Sequence, residues 1–328
     1  MTTLPKSSIL NRYQWRLPEL VIWTLPIVVY FLFPQSLSLG TLVLAFAIFA
    51  LSFDLLLGFA GIMSLGHAAF FGIGAYTAGL LARGGWNEPI SGVLLAALLC
   101  ALVAGAVGPF LLRLTGLPLV MVTVGISSIL FELANKMSWL TGGDDGLYGI
   151  RVKPLFGIFP FSITGETKFF YALAWLFLTF LVIRRLVSSP FGIALQGIRE
   201  NPVRMRLIGN SVIPHLVIAF VTSAAFAGVA GAVWAQTGGF VGLGALSLDT
   251  SIDVIVMLVL GGLGTLYGAL IGAPFYIVFK HFAQQLNPFY WMLLVGALLI
   301  FVVRFTRGGI LGVLKGVADR LMTQKQNG

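Results

Sequence analysis

Apolar runs about as long as a bilayer is thick recur along almost the whole chain, at 20–34, 39–59, 62–82, 90–112, 117–135, 169–187 and 212–235. A helix needs roughly 20 apolar residues to cross, and inside lipid every backbone N–H and C=O must be satisfied within the spanning structure, which leaves only helices and closed barrels. Barrel strands would alternate apolar with polar residues, and these runs do not. The expected fold is therefore all-α, a polytopic transmembrane helix bundle. Composition agrees: 58% of the 328 residues are hydrophobic and the mean hydropathy is +0.99, against roughly 45–50% apolar usage in soluble domains.

The net charge of +9 does not point to a nucleic-acid partner, because three segments hold nearly all of it. Residues 1–19 carry Lys6, Arg12 and Arg16 against Glu19. Residues 184–206 carry Arg184, Arg185, Arg199, Arg204 and Arg206 against Glu200. Residues 304–328 carry Arg304, Arg307, Lys315, Arg320 and Lys325 against Asp319. Loops of this kind are held on the cytoplasmic side. The basic N-terminal stretch leads into Leu20–Phe33 without a small-residue cleavage site, so it reads as a retained first span.

With the N-terminus inside, the seventh run ends outside. The remaining runs, 251–281 and 289–303, return the basic tail to the cytoplasm only if one of them crosses twice. "LGGLGTLYG" (260–268) places Gly261, Gly262 and Gly264 in the middle of the longer run, where a turn or helix break is cheapest. The expectation is about ten spans with both ends cytoplasmic: a basic segment 1–19, a transmembrane domain 20–303 and a basic tail 304–328. Within it the loop 184–211 faces the cytoplasm and the loop 136–168 faces outward. Small residues recur every fourth position in three sets, Ala97/Ala101/Gly105, Ala224/Gly228/Ala232 and Gly264/Gly268/Gly272, each a smooth stripe that lets helices approach closely in lipid. Cys100 lies in an apolar run, has no partner for an intrachain disulfide, and is expected to act as a small core residue.

Enzyme machinery is not expected. There is no G-x-x-x-x-G-K-[ST] loop to cradle ATP, "GIMSLG" (61–66) has the wrong spacing for a nucleophile elbow, and His67, His215 and His281 form neither a triad nor a metal-ligand pattern. No cofactor is expected within the chain.

"QGIRENPVRMRLIGN" (196–210) is the polar exception. Ser188-Ser189-Pro190 can start a helix, Pro202 interrupts it, and Gly209-Asn210 can stop it. Ile193, Leu195, Ile198, Val203 and Leu207 fall among Arg199, Glu200, Arg204 and Arg206. One face would suit a partner's groove; a solvated loop held by its charges is the alternative.

The passages "GFAGIMSLGHAAFFGIGAYTAGLL" (58–81), "LTGGDDGL" (140–147), "FGIALQGIRENPVRMRLIGNSV" (191–212), "FAGVAGAVWA" (226–235) and "VLGGLGTLYGALIGA" (259–273) resemble the permease subunits of ABC importers in the branched-chain amino acid family. The resemblance runs in order from about residue 40 to the last span. It implies a bacterial inner-membrane protein that pairs with a second, related permease subunit, two ATPase subunits that bind ATP and Mg, and a periplasmic substrate-binding protein. It also implies that 191–210 is a cytoplasmic coupling helix seated in an ATPase cleft, with Arg199, Glu200, Asn201, Arg204, Arg206 and Gly209 as its coupling residues. Glu200 and Gly209 stand where the family's Glu-Ala-Ala…Gly signature has its acid and glycine, although Asn201-Pro202 replaces the two alanines. Branched-chain or other hydrophobic amino acids are the implied cargo; urea, short amides and aromatic acids, carried by relatives, stay open.

Ser64, His67, Asp54 and Asp253 are candidates for the substrate path: His67 follows Ser64 and Gly66 in a glycine-rich run, and ionisable groups within spans are costly and default to function. His67 has two readings, a path residue at a helix break or a core histidine bonded to backbone. Asp54, Glu132 and Asp253 also keep a self-sufficient channel or secondary transporter in view. Thr141, Asp144 and Asp145, on the outward glycine-rich loop, suit docking of a binding protein or a gate, with a plain surface turn as the alternative.

Overall fold

The computed structural model describes residues 17–161, 165–305 and 308–312. Lys6, Arg12, Arg16, Arg307, Lys315, Asp319, Arg320 and Lys325, the charged flanks of the two ends, lie outside the described residues. α1 (Leu17–Leu32) leads through a 3-10 turn, Pro34–Ser36, into α2 (Leu37–Phe53). The end of α2 widens into a π-helical stretch, Asp54–Phe59, before an irregular segment at 60–66. The third apolar run thus becomes helical only at His67, beginning α3 (His67–Arg83).

α4 (Pro89–Leu111) and α5 (Leu117–Lys136) each have proline in the first turn, where no intrahelical N–H partner is needed. A short α6 (Ser138–Thr141), a 3-10 turn Gly143–Asp145 and β1 (Leu147–Tyr148) follow. The second half comprises α7 (Glu166–Ser188), the short α8 (Pro190–Glu200) and α9 (Pro202–Leu207), α10 (Val212–Gly238), β2 (Phe240–Val241), α11 (Leu248–Gly261), α12 (Tyr267–Leu286) and α13 (Trp291–Phe305). β1 and β2 pair antiparallel, Leu147 opposite Val241 and Tyr148 opposite Phe240, and tie the 136–168 loop to the end of α10.

Among the described residues, five helical stretches are individually long and apolar enough to cross a membrane: Pro34–Phe59, Pro89–Leu111, Leu117–Lys136, Glu166–Ser188 and Val212–Gly238. With almost no strand, the protein is an all-α polytopic membrane protein. The run 251–281 breaks where its glycines sit: α11 stops at Gly261 and α12 starts at Tyr267, with Gly262 and Gly264 at φ +117° and +71°, a region favoured by glycine.

α10 is the hub, packing on α2, α3 and α4. A Cβ placed on Gly231 would lie 1.9 Å from the Phe71 carbonyl oxygen, and one on Gly74 would lie 2.3 Å from that of Gly228, so the backbones of α3 and α10 touch. Ala224, Gly228 and Ala232 are buried there, as their spacing predicts. On α4, however, the buried row is Ala96, Cys100, Ala104 and Gly108; Ala97, Ala101 and Gly105 lie one position out and are only half-buried. Both rows are small and the helix is apolar all round, so spacing alone does not select the face. Cys100 sits fully buried against Gly228, its thiol donating to the Phe70 carbonyl at 3.3 Å. Gly268 and Gly272 form the close α11–α12 contact, a Cβ on Gly272 falling 1.9 Å from the Met257 carbonyl oxygen, while Gly264 belongs to the break and not to the helical stripe.

Candidate functional site

The α8–α9 elbow is shaped by local chemistry. Ser189 is extended and Pro190 opens α8 with its fixed φ. Asn201 precedes proline, which disfavours helical backbone, so α8 ends at Glu200. The Asn201 side chain then caps α9, accepting the Arg204 N–H at 2.9 Å. Gly209, at φ +87°, closes α9 with its N–H on the Arg206 carbonyl at 3.0 Å.

One face of α8 turns into the bundle: Gly192, Leu195 and Ile198 are buried, and Phe191 stacks on His215 of α10 with centroids 5.4 Å apart. Leu195 and Ile198 therefore serve the chain's own core and are not free to enter a partner's groove. The other face is open. Ile193, Val203, Leu207 and Ile208 are exposed, Leu207 by 83%, beside exposed Glu200, Asn201, Arg204, Arg206 and Gly209. Ile208 escaped sequence reasoning because it sits beyond the last turn of α9. Arg199 differs from the other charged residues: its Nη1 donates inward to the carbonyl oxygen of Gly58, in the π-helical end of α2.

Asp54, fully buried one turn earlier, accepts the N–H groups of Gly264 at 2.7 Å and Leu266 at 3.0 Å. It holds the α11–α12 break, a role that only the folded chain reveals because its partners lie over 200 residues away. His67 is buried in the bundle. Its ring lies parallel to Phe49, and its Nε2 sits 3.2 Å from Ser52 Oγ and 3.3 Å from Ser223 Oγ. Both hydroxyl protons go elsewhere, to the carbonyls of Phe49 and Ser52. Nε2 is therefore the donor to both oxygens, a tautomer assigned from the network. Ser52 and Ser223 gave no sequence signal, since hydroxyls in spans commonly bond their own helix.

Ser64 is buried beside a narrow, mainly apolar cleft lined by Gly66, Phe70, Val107, Thr123 and Phe220. Asp253 lies elsewhere, paired with Lys280 at 2.6 Å and bonded by the Tyr276 hydroxyl; Lys280 also faces Trp291. Glu132 is exposed on α5. Thr141 is buried, its hydroxyl near the carbonyls of Ala134 and Met137, whereas Asp144 and Asp145 are exposed. Within the elbow, Asn201 bonds Arg204 and Gly209 bonds Arg206; between elements far apart in sequence, Asp54 and Arg199 converge on Gly58. α10 has 27 residues, about 40 Å at 1.5 Å per residue, and separates the α8–α9 elbow at its start from the β1–β2 pair at its end.

Residues 36–303 match the family model described as branched-chain amino acid transport system / permease component. The chain belongs to this family. It is 31% identical over 304 residues to the high-affinity branched-chain amino acid transport system permease protein LivM of Escherichia coli (strain K12), covering 84% of this chain and 70% of that protein. It is 30% identical over 303 residues to the protein of the same description from Salmonella typhimurium, with the same coverage. A probable branched-chain amino acid transport permease protein LivM of Methanocaldococcus jannaschii is 25% identical over 141 residues, 41% of this chain and 39% of that protein. No solved structure matches the chain. The permease region thus starts at the turn before α2 and leaves α1 outside. α1 is held to α7 by aromatic contacts, Trp23 against Phe177 at 4.9 Å and Phe180 at 5.1 Å.

Proposed function

We propose that this permease is the membrane-spanning subunit of an ATP-driven importer in the bacterial inner membrane, crossing about ten times with both termini in the cytoplasm. With a second, related permease subunit it forms the path for branched-chain or other hydrophobic amino acids delivered by a periplasmic binding protein. Two separate ATPase subunits hold ATP and Mg. The cargo follows from the relatives' names, and urea, short amides or aromatic acids are the alternative cargo.

The observation that carries the reading is the open face of the α8–α9 elbow. Val203, Leu207 and Ile208 stand exposed among Arg204 and Arg206, on a basic loop of the kind kept in the cytoplasm. Apolar anchors with arginine beside them are what a protein interface uses. Self-sufficient secondary transport draws no comparable support: Asp54 is occupied by two backbone N–H groups and Asp253 by Lys280 and Tyr276, so neither carboxylate is free to bind a coupling ion.

The test is to purify the permease from its native membrane with whatever it binds, and to compare it with the Arg204→Glu/Arg206→Glu double variant. The native protein brings down a nucleotide-hydrolysing subunit, and the double variant inserts normally but loses it together with substrate-stimulated hydrolysis. Undiminished transport by the double variant removes the coupling role from this loop.

A further inference from the structure

Arg199 sits among the coupling residues in sequence and is exposed like them, yet one of its guanidinium nitrogens reaches inward. Nη1 donates to the Gly58 carbonyl oxygen, and the aliphatic stem lies along the backbone of Gly61, where an added Cβ would fall 2.8 Å from Arg199 Cγ. The same guanidinium borders the α11–α12 break, since a Cβ on Gly264 would lie 3.1 Å from Arg199 Nη1 and 2.9 Å from Gly58 O. A Cβ on Gly58 would in turn meet Asp54 Oδ1 at 2.2 Å and Gly264 N at 2.6 Å. Three separate elements thus meet at one point: α8 through Arg199, the π-helical end of α2 through Gly58 and Asp54, and the break through the Gly264 and Leu266 N–H groups.

We propose that Arg199 is a positioning residue, a strut that carries displacement of the α8–α9 elbow into the α11–α12 break through the Gly58 carbonyl and the Asp54 carboxylate, and is not itself a contact with the ATPase. This deepens the importer reading above and rests on it. The chemistry suits a transmitted push. At one end a charged Nη1 donates to the Gly58 carbonyl; at the other the Asp54 carboxylate accepts two backbone N–H groups, so the break cannot move without Asp54 or the loss of both bonds. The glycines leave no side-chain space in which the movement would dissipate. A π-helical stretch is itself a frequent mark of functional sites.

The experiment uses the complex purified with its ATPases, comparing Arg199→Ala, Arg199→Lys, Asp54→Asn and the Arg199→Ala/Asp54→Asn pair. Two quantities are read: the ATPase retained per permease, and the hydrolysis stimulated by substrate-loaded binding protein. All four variants keep the ATPase at the native ratio. Arg199→Ala and Asp54→Asn each lower stimulated hydrolysis by about fivefold or more, the lower end of usual coupling energies. The pair is no worse than the weaker single variant, because both break one chain of contacts. Arg199→Lys, still able to donate to the Gly58 carbonyl, recovers most of the stimulation.

Loss of the ATPase from Arg199→Ala but not from Asp54→Asn makes Arg199 a surface contact and overturns the proposal. Normal stimulation in Arg199→Ala overturns it as well, while leaving the importer reading intact. Absence of any ATPase from the native complex sinks the importer reading and the strut with it. Should Asp54→Asn fail to accumulate, the contrast between Arg199→Ala and Arg199→Lys decides alone.

Discussion

Gly231→Ala adds one methyl group at the place where α10 has least room. The new Cβ would sit 1.9 Å from the Phe71 carbonyl oxygen and 2.9 Å from the Ala75 N, and both are helix backbone that no rotamer change can move aside. Ordinary contact begins near 3.4 Å, so α3 and α10 must part by about 1.5 Å. A gap of 0.5–1 Å already forfeits a quarter to a half of each van der Waals contact, and in lipid such packing is the main adhesive between helices. The substitution should therefore cost about 3 kcal/mol, the upper part of the overpacking range. Gly125→Ala on α5 is the matched control: nothing lies within 4 Å of its added Cβ, and alanine is the better helix former by about 1 kcal/mol. Equilibrium unfolding of the two variants in mixed micelles, followed by tryptophan fluorescence, gives both numbers. If Gly231→Ala proves no less stable than Gly125→Ala, the backbone contact between α3 and α10 is not what holds the bundle.

Asp253→Asn removes the counter-charge that stands 2.6 Å from Lys280 Nζ, at a site where both side chains are three-quarters or more buried. It should cost about 2 kcal/mol, more than the Asp253→Asn/Lys280→Met pair, since removing one member of a buried pair strands the other; equal losses in a double-mutant cycle would dissolve the pairing. Ser223→Ala removes the donor to the Ser52 carbonyl and one oxygen beneath His67 Nε2. A loss of about 1 kcal/mol is expected, and the Nε2 resonance of His67 should shift in nitrogen NMR; an unmoved resonance would refute Nε2 as the donor.

How much of this was legible in the sequence depended on what each residue type can signal alone. Lengths of apolar runs placed the helices well: 90–112 became Pro89–Leu111 and 117–135 became Leu117–Lys136. Glycine clusters marked the break at 262–266, because few other residues accept that backbone. Burial was harder to read. In a soluble helix the polar face identifies the buried one by elimination, but a lipid-facing helix is apolar all round. That is why the small-residue row on α4 was displaced by one position. Leu195 and Ile198 were misread for a related reason: α8 is amphipathic towards its own bundle, and the exposed apolar side chains lie mainly on the neighbouring α9. Asp54 and Arg199 carried no mark of their roles, since the first bonds backbone 210 and 212 residues away and the second bonds a carbonyl 141 residues away.

The close glycine contacts also divide the bundle mechanically. α3 and α10 touch backbone to backbone at Gly74, Gly228 and Gly231, with Cys100 of α4 wedged against Gly228; α11 and α12 do so at Gly261, Gly268 and Gly272. Sliding within either group would drive carbonyl oxygens against neighbouring backbone. α5 is held at another point, where a Cβ on Gly66 would lie 2.3 Å from the Thr123 carbonyl oxygen, while Gly125 of α5 and Gly296 of α13 have nothing within 4 Å of an added Cβ. The two groups join at Asp54 and Gly58: α2 packs on α10, the Asp54 carboxylate reaches the hinge of α11–α12, and a Cβ on Gly58 would fall 2.6 Å from Gly264 N. The elbow meets the bundle at that joint through Arg199, whose Nη1 donates to the Gly58 carbonyl, and the strut proposed above acts there.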